Sequence, residues 1–156
     1  MNILVVIVES RGVEALVPEI LDVAKPGSPV TLLQLRDGNF SNKVCNKLTQ
    51  EGWLGAHNTE EVGKAVSEDY ESRFNEACRV LRQELNAQGI ETLCLTRTGD
   101  LVNAVLRVAD ETEELGKIIL GKPARNWLTR WYKDFDVRLL AERAPVPVKV
   151  IPLDTD

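Results

Sequence analysis

The residues of this chain best spaced for chemistry lie at the ends of two short apolar runs. The first run, Ile3 to Val8, breaks at Glu9-Ser10-Arg11-Gly12, and the second, Ile118 to Leu120, stops at Gly121-Lys122-Pro123. In open α/β sheets a ligand sits beyond the carboxyl ends of the strands, where strand order reverses. Ser10, Gly121 and Lys122 are therefore the first candidates for ligand contacts. The commoner chemical signatures are missing. No Gly-x-Gly-x-x-Gly follows the first run and no P-loop occurs, which excludes dinucleotide and Walker-type nucleotide sites. No Gly-x-Ser-x-Gly occurs, which excludes a nucleophile elbow. The single His57 reads as a loop histidine and cannot build a zinc site with Cys45, Cys78 and Cys94 so dispersed. No metal site and no nucleophile–base pair is expected. Glu111, Glu113 and Glu114 read as a solvated helix end.

The elements that must position these residues follow from the periodicity. The chain has 156 residues, 44% apolar and 28% charged, which suits one soluble domain over 1–156 with a single core. The net charge of −5 weighs against nucleic acid as the main partner. No apolar run approaches ~18 residues, so no membrane-spanning helix is expected. The opening MNILVVIVES lacks a basic region and a small-residue cleavage site, so it reads as a first strand and not as a signal peptide. An odd number of scattered cysteines fits reduced thiols in a cytoplasmic protein, with Cys78 and Cys94 at buried packing positions.

A helix is expected from Val13 to Ala24, with Pro18 tolerable only in its first turns. A second strand spans Val30 to Leu35. The stretch 39–58 reads as a long insert, holding a short helix over Ser41 to Gln50 and a loop with Trp53 that is either a lid or a plug on the core edge. Val62, Val66, Tyr70, Phe74, Cys78, Leu81 and Leu85 then form a helical stripe that starts at Thr59 or after Ser67. A third strand covers Ile90 to Thr96, Asp100 caps a helix that starts at Leu101, and Lys117 to Leu120 is the fourth strand. A last helix leads to a fifth strand, Val146 to Ile151, which Pro145, Pro147 and Pro152 mark as an edge strand. Short apolar strands alternating with helices predict an α/β fold: an open five-stranded parallel sheet with helices on both faces, Rossmann-like.

The order of strand, Gly121, loop, helix and Ala144-Pro145-Val146-Pro147-Val148 resembles the universal stress protein family, and the likeness extends over nearly the whole chain. The resemblance implies the adenine nucleotide alpha hydrolase-like version of this fold and a homodimer through the last strand. Nucleotide-binding members carry Gly-x-x-Gly, nine residues, then Gly-Ser/Thr after strand four. Here Gly121 stands at the first glycine, Ala124 at the second, Asp134 at the third and Phe135 at the hydroxyl residue. At the end of strand one only Ser10 matches the family's Asp-Gly-Ser.

These departures have physical consequences. The third glycine precedes a helix whose free N–H groups would hold phosphates. Asp134 there would cap the helix with its own carboxylate. A triphosphate would meet like charge within a few Å, costing ~1 kcal/mol in water and several in a drier cleft. Phe135 adds bulk in place of a donor. Ser10, Gly121, Lys122 and Arg125 remain the candidate ATP or AMP contacts, in a site expected to be blocked by Asp134 and Phe135, so no cofactor is expected. Lys122, Arg125, Arg130 and Lys133 interleave with Trp127, Trp131 and Tyr132, a pattern that can bind single-stranded nucleic acid. With the chain net acidic, packing or a dimer interface involving Trp127 and Trp131 is the preferred reading. The expected function is a non-catalytic, cytoplasmic stress-response or signalling module, homodimeric, with an unidentified protein partner and no ATP bound in the family's usual way. The alternative is an ATP-binding or slowly ATP-hydrolysing member using the cleft between strands one and four.

Overall fold

A computed structural model of the chain describes residues 1–8, 10–36, 59–122 and 134–153. Five parallel strands form one sheet, β1 (Asn2–Ile7), β2 (Val30–Arg36), β3 (Thr92–Thr98), β4 (Leu115–Lys122) and β5 (Val148–Pro152), in the order β3-β2-β1-β4-β5. Four helices connect them among the described residues: α1 (Leu16–Val23), α2 (Thr59–Ala87), α3 (Leu101–Glu111) and α4 (Asp134–Arg143). The expected α/β architecture is the one observed.

The unbroken apolar run of β1 has a direct cause. Ile3, Val5 and Ile7 face one layer, where Leu16 and Ile20 of α1 and Phe74, Cys78, Leu81 and Leu85 of α2 close over them. Leu4 and Val6 face the other, against Leu101, Val105 and Val108 of α3 and Leu140 of α4. A strand buried on both faces needs apolar side chains in both directions, so alternation disappears.

Helix boundaries follow local chemistry. Gly12 takes a left-handed φ of 75° that turns the chain out of β1, and a 3-10 turn, Val13–Ala15, precedes α1. That turn delays the start of α1 to Leu16, which places Pro18 in its first turn, where a missing N–H leaves no hydrogen bond unmade. The stripe on α2 is confirmed at Phe74, Cys78, Leu81 and Leu85, all buried, and the helix begins at Thr59. The side chains of Val62, Val66 and Tyr70 lie outside the described residues, as do the expected helix over 41–50, Trp53, His57, Cys45 and the insert itself. Asp100 caps α3 as expected, its carboxylate accepting from the Asn103 backbone N–H at 3.0 Å.

Four expectations need correction. The third strand is Thr92–Thr98 and not Ile90 to Thr96. Strand four does not stop before Gly121. It runs to Lys122, because Gly121 and Lys122 pair with Ile151 and Pro152 of β5. The fifth strand is Val148–Pro152 and not Val146 to Ile151. Its pairing opens where Ile118 N–H donates to the Pro147 carbonyl at 3.0 Å, an acceptor role that proline can fill. It places Pro152 in an edge strand, where a missing donor is tolerated. Cys94 is only half-buried, because β3 is the outermost strand and the core does not close fully around it.

Candidate functional site

The sheet order sets where a ligand could sit. From β1 the chain steps to β2 and β3 on one side and then crosses to β4 on the other, so strand order reverses between β1 and β4. Ile7, the last residue of β1, pairs with Gly121 of β4. Two of the candidate residues are thereby set at one edge: Ser10, three positions past Ile7, and Gly121, with Lys122 ending β4 next to it. Arg125 lies outside the described residues, as do the tryptophans of the same segment. α4 begins at Asp134, so the residue expected as the N-cap is instead the first residue of the helix, while its side chain and that of Phe135 are outside the described part.

Gly121 has a packing reason to be glycine. A Cβ at this position would lie 3.1 Å from Leu153 Cδ1 and 3.4 Å from Leu153 Cδ2 and Cγ. Leu153 itself is 4% exposed and belongs to the core layer under α1 and α2. Its backbone N–H donates to the Lys122 carbonyl at 2.8 Å, which holds the leucine over the glycine. The room left by the missing side chain is thus taken by the chain's own C-terminal leucine. No sequence signal links position 121 to position 153, since the contact depends on β5 lying beside β4.

Ser10 faces a different space. With Arg11, Val13 and Glu14 it lines an open groove of about 940 Å³ whose other wall is the exposed side of α2 from Glu68 to Val80. Neither Gly121 nor Lys122 lines that groove. Its charges are mixed: Arg11, Arg73 and Arg79 against Glu14, Glu68, Glu71 and Glu76. Arg79 is committed to Glu76, with Nε donating to the carboxylate at 2.9 Å. That hydrogen bond lowers the Glu76 carboxyl below its ordinary pKa and raises Arg79 above its own. Among the described lining residues the arginines are matched by glutamates, which does not concentrate the positive field that a triphosphate needs.

Two other groups, Lys149 and Cys78, serve contacts between elements and packing. Lys149 of β5 donates to Glu19 of α1, and this hydrogen bond raises its pKa. The Cys78 thiol is pushed up to about 11, chiefly by burial, with a hydrogen bond to Gln34 opposing the shift. A thiol so buried is held protonated and unreactive. Among the described residues no group of three or more metal-type side chains converges, and no helix is long and apolar enough to cross a membrane.

Comparison with known proteins brings in solved structures only. No protein-family model and no curated protein matches the chain. The universal stress protein UspA from Lactobacillus plantarum superposes with a TM-score of 0.64 at 19% identity, over 97% of each chain. A hypothetical protein whose biochemical function was assigned from its structure matches with a TM-score of 0.61 at 16% identity, over 99% of this chain and 97% of that one. A universal stress protein from Archaeoglobus fulgidus gives 0.55 at 19% identity, over 99% of this chain and 45% of that longer one.

The fold is that of the universal stress proteins. At these identities the likeness establishes architecture, and the residues at the strand-order reversal must speak for chemistry.

Proposed function

We propose that the chain is a universal stress protein-like module of a single domain that works without catalysis and without ATP held in the usual way of that fold. Its action would come through contacts with other proteins in a cytoplasmic stress response. The observation that carries this reading is the filling of Gly121's open side by Leu153, where a Cβ would meet the leucine at 3.1 Å. A glycine kept for a ligand's close approach leaves free space, whereas here the space belongs to the core. The acidic residue at the start of α4 and the mixed charge around Ser10 support the same reading.

A homodimer through β5 is the second part of the proposal. β5 is an edge strand, and Val150 on it is 36% exposed. A second copy would cover that valine and the open strand edge. Trp127 and Trp131 lie outside the described residues, so β5 alone supports this interface.

One observation favours the ATP-binding or ATP-hydrolysing alternative: Ile7, which ends β1, pairs with Gly121 of β4 at the reversal, and Ser10 follows three positions on. Acid extraction of the purified protein separates the two readings. The proposal expects no adenine nucleotide, and ATP or AMP recovered at near one per chain overturns it. Light scattering tests the dimer, with twice the chain mass expected and a monomeric mass at micromolar concentration opposing it.

A further inference from the structure

Among the described residues nothing covers a groove at the opposite edge of the sheet, lined by none of the candidate residues discussed above. β3 is the outermost strand, and α3 covers the strands inward of it. On the α3 side this leaves Leu93 58% exposed, the most exposed large apolar side chain among the described residues. Leu93 stands beside Thr31 in the sheet, and Leu95 beside Leu33. With Val108 of α3 they floor an open groove of about 500 Å³. Edge strands usually carry charge at such positions, because an exposed apolar edge invites association.

The rim has one sign of charge. Among the described residues Glu91, Glu111 and Glu113 line the groove and no lysine or arginine does. All three carboxylates are exposed. They do not converge as a metal site, since no cluster of metal-type side chains occurs among the described residues. A second copy docking here through a two-fold axis would set acidic rim against acidic rim, which opposes self-association. Nucleic acid would meet the same repulsion.

We propose that this groove is a docking site for a peptide segment of a partner protein, one that carries aliphatic or aromatic anchors flanked by lysine or arginine. The anchors cover Leu93 and Leu95, and the basic side chains reach Glu91, Glu111 and Glu113. The Thr31 hydroxyl, on a side chain 8% exposed at the groove floor, offers a polar contact to the peptide backbone. The proposal is independent of nucleotide binding and of the β5 dimer, because none of their residues lines the groove.

The test is fluorescence anisotropy of a fluorescein-labelled peptide, Lys-Arg-Leu-Trp-Leu-Arg-Lys, titrated with the full chain. Its counterpart with aspartate and glutamate in place of the basic residues is the control. Binding with Kd below about 100 μM is expected for the basic peptide alone. It should weaken as salt rises from about 50 to 500 mM. Leu93→Glu is expected to raise Kd at least about tenfold, through loss of the apolar floor. The paired change Glu111→Lys and Glu113→Lys should raise it by a similar factor. Both variants alter exposed side chains, and matching circular dichroism melts confirm that they fold. Three results overturn the proposal: no binding up to about 1 mM, binding that Leu93→Glu leaves unchanged, or a chain that self-associates through this edge and loses the association with Leu93→Glu.

Discussion

Replacing Gly121 with valine is the most informative single perturbation of the fold. A Cβ at position 121 already falls 3.1 Å from Leu153 Cδ1, closer than ordinary van der Waals contact, and the two γ-methyls of valine reach further into the leucine. Leu153 cannot swing away freely, because its backbone N–H is held by the Lys122 carbonyl at 2.8 Å and its side chain is 4% exposed. Overpacking a well-filled core costs typically 1–3 kcal/mol, so Gly121→Val should lower stability by about 2 kcal/mol. Leu153→Ala removes the obstacle at its own cost of roughly 2–3 kcal/mol for the lost burial and the cavity. The two changes should then be coupled, the double variant being about 1–2 kcal/mol more stable than the sum of single losses predicts. Urea unfolding of the four proteins, with the slope checked for constancy, measures the cycle. Additivity within about 0.5 kcal/mol would refute the reasoning, since it would mean that position 121 and Leu153 do not compete for one space.

Two further predictions concern stability. Cys78 titrates near 9.0 when unperturbed and is raised to about 11 in the fold, so only the unfolded chain ionises between those values. Its contribution is complete below pH 9 and falls away as pH rises to about 11, by roughly 2–3 kcal/mol. The stability difference between the wild-type chain and Cys78→Ala, followed by denaturant titration, should shrink by that order across this window, and a constant difference would contradict it. Asp100→Ala should cost about 1 kcal/mol through loss of the α3 cap, with Asp100→Asn retaining most of it, as thermal melts would show.

How much of this was legible in the sequence depended on how local each cause is. The double burial of β1 is written into Ile3 to Val8, because every side chain there must be apolar. The cap at Asp100 and the stripe through Phe74, Cys78, Leu81 and Leu85 depend on neighbours within a turn or two, and they were found at the positions expected. A glycine after an apolar run looks like a terminator, so the sequence does not show that β4 continues through Gly121. The hydrogen bond from Leu153 to Lys122 that continues the ladder comes from 31 positions away. The start of β5 is hidden for a related reason: its ladder begins from the carbonyl of Pro147, and a proline in sequence signals a missing donor and not an available acceptor.

The candidate site was half legible. Its place, beyond the ends of strands one and four, followed from the alternation of elements, and the pairing of Ile7 with Gly121 brings those ends together. That Ser10 lines a separate groove with α2 could not be read, because it depends on the angle at which that helix passes the end of β1. The exposure of Leu93 was equally hidden. Alternation in 90–96 gives a two-sided strand but not its rank in the sheet, and only an outermost strand leaves one face uncovered.

The central proposal is that the strand-order reversal does not serve as a nucleotide site. Isothermal titration calorimetry of the purified full-length chain with magnesium ATP tests it most directly. The account predicts no saturable heat up to about 1 mM ligand. Stoichiometric binding in the low micromolar range, weakened by Gly121→Val, would contradict it.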